Sequence, residues 1–257
     1  MSKKYTIFVD SSYIRNSKAE YWEIPLSTEG IKSILKFISE QKLSKDVAVV
    51  IPEIVIQEII IQKLNYIRSQ LNNLKHVSDN FKNTFSIHGI DLDKYVNFDF
   101  NKFFKDKCQE FMNKFNLKQA DTPKIDQNEL ISRSVNKIPP FKEKSDEGFK
   151  DTILWHSILN FANNEPSHIL LFLTSDKVFE NSFLNEEITK INKSGIEIFN
   201  DTTQLKAFLN TEFKLNLDWK AKARDIKNKL KEKLGILIEE IYKENYFISD
   251  YSGSGKK

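Results

Sequence analysis

Cysteine is almost missing from this chain. Cys108 stands alone among 257 residues, which excludes an intramolecular disulfide framework and a cysteine-built metal site and leaves the reducing cytoplasm as the expected setting. An excess of charge of one sign is missing too: 39 Lys and Arg against 36 Asp and Glu leave a formal net charge of +3. That is too close to balance to imply a nucleic acid or a membrane by itself, so any basic surface has to be local. No run approaches the roughly 18 apolar residues of a membrane span. Near the amino terminus, Thr6 to Val9 is cut by Asp10, too early for the apolar core of a secretory signal. No G-x-x-x-x-G-K-[ST], G-x-G-x-x-G or H-E-x-x-H occurs. His76, His88, His156 and His168 have no ligand spacing and read as structural or surface residues.

What the chain does have is an alternation of short apolar strands and amphipathic helices. Thr6 to Val9, Val47 to Ile51, Ile169 to Leu173 and Ile196 to Phe199 are apolar runs that read as strands, the second halted by Pro52. The unbroken run from Ile169 to Leu173 predicts a strand covered on both faces. Between the runs, Ile31, Ile34, Leu35 and Ile38 follow a Ser27 or Thr28 cap, and a long helix starts after Pro52 with Ile56, Ile60, Leu64, Ile67, Leu71 and Leu74 at helical spacing. Leu154, Trp155, Ile158, Leu159 and Ala162 form a third helical face after Gly148. A further helix is expected around Asn181 to Lys193, and a short one capped by Asp201 or Thr202. The pattern predicts an α/β fold with a mostly parallel sheet between helices.

Residues 76–145 are too long for an ordinary connection and read as a helical insertion. Its stripe of Phe100, Phe103, Phe104, Cys108, Phe111, Met112 and Phe115 suits core packing or a partner surface. The polar part that follows, residues 120–147, reads as loop with one helix around Glu129 to Val135. Residues 1–210 are thus expected to form the catalytic-size domain and 211–257 a basic helical extension ending in a linker-like tail. In that extension Ile226, Leu230, Leu234, Leu237 and Ile241 make a stripe that Gly235 bends or divides. Its lysine-rich first half is either a solvated helix face or a nucleic-acid contact.

Acids mark the ends of these elements. Asp10 closes the first strand, Asp151 opens a helix, Asp176 closes a later strand, and Glu58 lies among Val55, Ile56, Ile59, Ile60 and Ile61. Each has an ordinary structural alternative: Asp151 as an N-cap, Asp176 as a turn former, Asp10 as a loop residue, Glu58 as an exposed acid near a helix start. Gathered at the carboxyl edge of one sheet, where open α/β sheets bind ligands, they would repel one another unless a hard cation such as Mg²⁺ or Mn²⁺ compensated. Such an ion polarises a phosphodiester and lowers the pKa of its water, which is nuclease chemistry. Two other acid-bearing sites fail on the letters: Ser12 stands where a haloacid-dehalogenase-type phosphatase has its second acid, and Ile14 where a D-x-S-x-S site has a hydroxyl.

The order IFVDSSYI, VVIPEIVIQEII, EGFKDTILW and LFLTSD resembles the PIN-domain nucleases, particularly the larger bacterial forms with a helical insertion, over about Tyr5 to Leu209. The resemblance implies a PIN-like fold of three layers. It matches Asp10 to the first-strand acid, Glu58 to the glutamate of P-x-x-V-x-x-E with Pro52 and Val55, Asp151 to the acid of G-x-x-D, and Asp176 to the acid of T-x-D with Thr174 as its hydroxyl partner.

The expectation is a metal-dependent endoribonuclease. Asp10, Asp151, Asp176 and Glu58 would hold Mg²⁺ or Mn²⁺, Glu58 would orient the attacking water, and the products would, as the resemblance implies, carry a 5′ phosphate and a 3′ hydroxyl. Ser11, Thr174, Lys150, Arg133 and Lys144 are the candidate substrate contacts, the last two because their loop precedes Asp151. RNA is the expected substrate, with single-stranded DNA as the second candidate; a protein partner or antitoxin and a homo-oligomer stay open, and no membrane is expected. A toxin, a phage-defence effector and an RNA-processing enzyme would all keep these acids. A PIN-like module that binds RNA or protein without cutting is the rival reading.

Overall fold

A computed structural model describes residues 3–14, 25–85, 95, 97–142, 147–215, 227–228 and 230–236. Five parallel strands form one sheet in the order β3-β2-β1-β4-β5: β1 (Lys4–Val9), β2 (Val47–Pro52), β3 (Lys118–Ala120), β4 (His168–Leu173) and β5 (Ile196–Phe199). The helices are α1 (Ser11–Ile14), α2 (Glu29–Glu40), α3 (Glu53–Phe85), α4 (Phe100–Phe115), α5 (Gln127–Val135), α6 (Phe149–Asn164), α7 (Ser182–Ile191) and α8 (Thr202–Glu212). The chain adds β2 and β3 on one side of β1, then returns to place β4 and β5 on the other. Strand order therefore reverses between β1 and β4, and a crevice at the carboxyl ends of those two strands is where such sheets take ligands.

The core is the sheet's apolar interior and the helix faces set against it. Ile7, Phe8, Val9, Val50, Ile51 and Leu170 to Leu173 are sealed from solvent. β1 pairs with β4 from Lys4↔His168 to Val9↔Leu173, and with β2 from Tyr5↔Val47 to Phe8↔Val50. Phe8 meets Phe161 of α6 edge-on at 5.2 Å, and Phe172 meets Phe179 at 5.0 Å, geometries that suit aromatic quadrupoles. In α2 the Thr28 hydroxyl accepts from Ile31 N, Glu29 lies in the first turn, and Ile31, Ile34 and Ile38 are buried. The cap and the stripe are those that the sequence pattern predicts, and Glu29 suits the helix's amino end.

Two expectations need correction. Segment 76–145 is not wholly an insertion, because Lys118–Ala120 is the sheet's edge strand, paired in parallel with Val50–Pro52. Three residues with two exposed side chains leave no run of apolar letters, which is why the pattern hid it. The helix after Pro52 also runs past Leu74 to Phe85, 33 residues in all, or about 50 Å at 1.5 Å per residue. Its start buries Val55, Ile56, Ile59 and Ile60, while Leu74, Val77 and Phe81 near its end are exposed. In α4, Phe104, Cys108, Phe111 and Met112 are buried and Phe103 and Phe115 are partly exposed. The stripe thus serves packing along most of its length, and burial pushes the Cys108 thiol up to about 12.

The chain divides into two compact units, Met1–Phe208 and Leu209–Lys257. Of the expected helical extension, 211–257, most lies outside the described residues. Residues 230–236 are helical, Gly235 stands inside that run, and Leu230 and Leu234 are exposed.

Gly148 fixes where α6 begins. Its φ of +125° is open to glycine and costly for other residues, and a Cβ there would lie 2.6 Å from Phe141 Cα and 2.8 Å from the Pro140 carbonyl oxygen. Its own carbonyl accepts from both the amide and the hydroxyl of Thr152, each at 2.8 Å. Gly148→Ala should therefore lower stability by about 2–4 kcal/mol through backbone strain and overpacking. Urea denaturation checks this, and an unchanged midpoint would refute the close approach.

Candidate metal centre

β1 and β4 deliver the first two acids. Each strand ends as its apolar letters run out, and because Val9 pairs with Leu173, the next residues leave the sheet side by side. The Asp10 amide donates to the Leu173 carbonyl at 3.0 Å. The Thr174 hydroxyl donates to Asp10 Oδ2 at 2.8 Å and accepts from the Asp176 amide at 3.0 Å. One fully buried hydroxyl thus links both strand ends. Ser12 Oγ donates to the same Asp10 oxygen at 2.6 Å and accepts from the Ser175 amide at 3.2 Å. Asp176 also accepts from the Val178 amide at 3.1 Å through Oδ1, starting the 3₁₀ turn Lys177–Glu180. It is a turn former as well as a candidate site residue.

The other two acids come from helices. Glu58 is the sixth residue of α3, past its first turn, and its side chain is 12% exposed. A carboxylate so placed needs partners. It has Ser11 Oγ at 2.9 Å on Oε2, and on Oε1 both Lys150 Nζ at 2.8 Å and Gln62 Nε2 at 3.1 Å. Ser11 follows Asp10 and Lys150 precedes Asp151, so Glu58 is tied to the neighbours of two further acids. Asp151 lies in the first turn of α6 and is not its cap; Gly148 is, with no side-chain hydrogen bond.

Asp151 registers the whole cluster. Burial first, then the charges of Asp176, Asp10 and Glu58, raise its pKa to about 6, against a lowering by Lys142. The four acids predicted from sequence therefore share one electrostatic neighbourhood. Among the described residues, though, no group of three or more His, Cys, Asp or Glu side chains is close enough to enclose an ion as they lie. The donor set is nevertheless all oxygen and short of positive charge. It suits a hard divalent cation that keeps several waters and takes only one or two carboxylates directly.

The expected substrate contacts divide. Ser11 and Thr174 are in the site, bonded to Glu58 and Asp10. Lys150 is beside it, but its ammonium is engaged by Glu58. Lys144 lies outside the described residues. Arg133 is a correction: it is buried, not presented to a phosphate. Its guanidinium binds Glu187, Glu129 Oε1 at 3.3 Å and the Pro139 carbonyl at 2.9 Å, while Trp155 Nε1 donates to the other Glu187 oxygen at 2.7 Å. It is a strut joining α5, α6, α7 and the loop that packs on Gly148. His156 Nε2 stands 3.3 Å from Glu129 Oε1 without the alignment of a hydrogen bond, and burial holds its pKa below the ordinary value.

Sequence reasoning passed over two residues. Ser12 had a signal, since a serine two after an aspartate at a strand end is a turn-forming pair. Lys142 had the signal that selected Lys144, a lysine in the loop that precedes Asp151. Its ammonium pairs with Glu147 at 2.9 Å and is also raised by Asp176 and Asp151.

Asp151 holds a proton to about pH 6 when folded and to about 3.8 otherwise. Between those values the folded state binds more protons, so stability falls as pH rises through this window. The metal-free protein should lose about 1–2 kcal/mol there after allowance for solvent screening. Asp151→Asn should remove that slope, as melting curves from pH 4 to 8 in EDTA would show; a slope unaltered by the substitution would contradict it. For the strut, Arg133→Met should cost about 2–4 kcal/mol by leaving Glu187 without its cation. Chemical denaturation measures this, and a loss under 0.5 kcal/mol would rule out a buried pair of that strength.

Among the described residues no helix is long and apolar enough to cross a membrane. A family model described as a PIN domain matches residues 7–179. No curated protein and no solved structure matches the chain.

Proposed function

The chain belongs to the PIN-domain family, a family of nucleases, and we propose that it is a metal-dependent endoribonuclease acting in the cytoplasm. The observation that carries this reading is the Thr174 hydroxyl shared between Asp10 Oδ2 and the Asp176 amide. It holds two acids together at the switch point of the sheet, where their repulsion has no structural use.

Asp10, Asp151 and Asp176 would hold Mg²⁺ or Mn²⁺, directly or through water, with Glu58 completing the pocket. When bound, the ion supplies a Lewis acid for a phosphoryl oxygen and a water of lowered pKa. Everything else falls to the chain. Ser12 and Thr174 hold one oxygen of Asp10 and leave Oδ1 for a ligand's use. Ser11 and Lys150 fix the Glu58 carboxylate, positioned to orient the attacking water. Asp151, whose ionised form burial and the neighbouring acids disfavour, would be stabilised by a cation. Hydrolysis would leave a 5′ phosphate and a 3′ hydroxyl. RNA is the proposed substrate, single-stranded DNA the alternative, and a toxin or phage-defence role suits the same chemistry.

One observation favours the rival module that binds without cutting: among the described residues no three acids close around an ion as they lie. Labelled RNA and DNA panels with Mg²⁺ or Mn²⁺ decide between the readings. Wild type should cut RNA and stop in EDTA, and Asp10→Asn and Asp151→Asn should each lower the rate about 100-fold or more, the several kcal/mol that such sites contribute. Undiminished cleavage by both variants would reject the assignment. Calorimetry showing neither Mg²⁺ nor Mn²⁺ binding would favour the module.

A further inference from the structure

Beside the acids lies a groove of about 640 Å³ whose charged lining is Lys137, Lys142 and Lys177 against the single carboxylate of Glu180. Phe141 and Val178 supply its apolar surface. Both walls are built on site segments. On one side Lys177 follows Asp176, and the Asp176 carboxylate itself holds the turn by accepting from the Val178 amide. On the other, Arg133 anchors the Pro139 carbonyl, and Phe141 backs onto Gly148, the residue that starts α6 three positions before Asp151. Lys142 and Lys177 are exposed.

We infer that this groove is a second binding site, a track for the phosphodiester backbone of a single strand next to the scissile phosphate. The inference rests on the nuclease reading. Four acids repel the polyanion they would cut, so affinity has to come from cations just outside the cluster, and phosphate contacts of this kind set register without reading sequence. The groove, at about 640 Å³, has the size of a small-ligand pocket, enough to take a short stretch of one strand. Lys142, paired with Glu147 at 2.9 Å, also interacts with the charges of Asp176 and Asp151, which puts this wall of the groove next to the acids. Lys177, directly after Asp176, and Lys137 carry the same sign in the same lining. Lys190 and Lys193, exposed where α7 leads into the start of β5, lie toward the opposite edge of the sheet and serve as the control.

The test is fluorescence anisotropy with a labelled 12-nucleotide RNA and its DNA counterpart, on the full chain in EDTA, across a series of salt concentrations. Lys142 is kept, because its charge also acts on Asp151. The double variant Lys137→Gln/Lys177→Gln should bind about 10-fold more weakly near 0.1 M salt, and the slope of log affinity against log salt should fall by about 0.7 per lysine removed. Equal losses for both oligonucleotides identify the backbone as the ligand; a loss confined to RNA identifies a 2′-hydroxyl contact and overturns a backbone track. Lys190→Gln/Lys193→Gln should leave affinity and slope unchanged. An unchanged affinity and slope in the groove variant, an equal loss in the control, or no binding by wild type would each overturn the proposal. Failure of the nuclease reading shows separately: a wild type that binds with the expected slope yet cuts nothing when Mg²⁺ is restored keeps the track and loses the activity.

Discussion

The pairing of β1 with β4, Val9 against Leu173, is the constraint on which the site depends. Parallel register sends both strands out of the sheet at the same level, so Asp10 and Thr174 emerge as neighbours and one hydroxyl can serve both Asp10 and the Asp176 amide. A slip of one residue would turn every side chain of a strand to the other face. With both faces buried, that slip would cost the packing of Phe8 on Phe161 and Phe172 on Phe179. The core therefore protects the geometry of the acids, though it touches none of the chemistry.

Repulsion among those acids is managed in stages. Asp10 is nearly buried and takes hydroxyl donors; Glu58 takes a hydroxyl, an amide and an ammonium; Asp176 spends one oxygen on a backbone amide. Asp151 has the least compensation, and its carboxyl is the one pushed up to about 6. A site in which burial and neighbouring charge disfavour the ionised form of one acid gains from a cation. The lysines stand at the rim, where they offset the field without occupying the centre.

Arg133 shows how support for such a site is hidden from a linear reading. Next to a polar loop, an arginine suggests a phosphate contact. Here its fork is filled by Glu187, Glu129 and a carbonyl, and it acts on the site only through the Pro139–Phe141 backbone that presses on Gly148. Lys150 is an intermediate case: exposed, adjacent to Asp151, yet paired with an acid 92 residues upstream.

The α/β class, the four longer strands, the N-cap of α2 and the four acids that the fold brings into one neighbourhood were legible in the letters, because apolar runs, helical spacing and strand-ending aspartates are local signals carried within a few residues. The third strand was not, since an edge strand of three residues carries no periodicity. Partnerships were not legible either: which lysine meets Glu58, that Ser12 and Thr174 share Asp10, that Lys142 faces Asp151 and Asp176. Those depend on register between segments far apart in the chain, and register is set by how the whole core packs. Sequence by itself determined which groups were available for chemistry; the tertiary structure decided which of them are held, which are spent on the fold, and which face the groove.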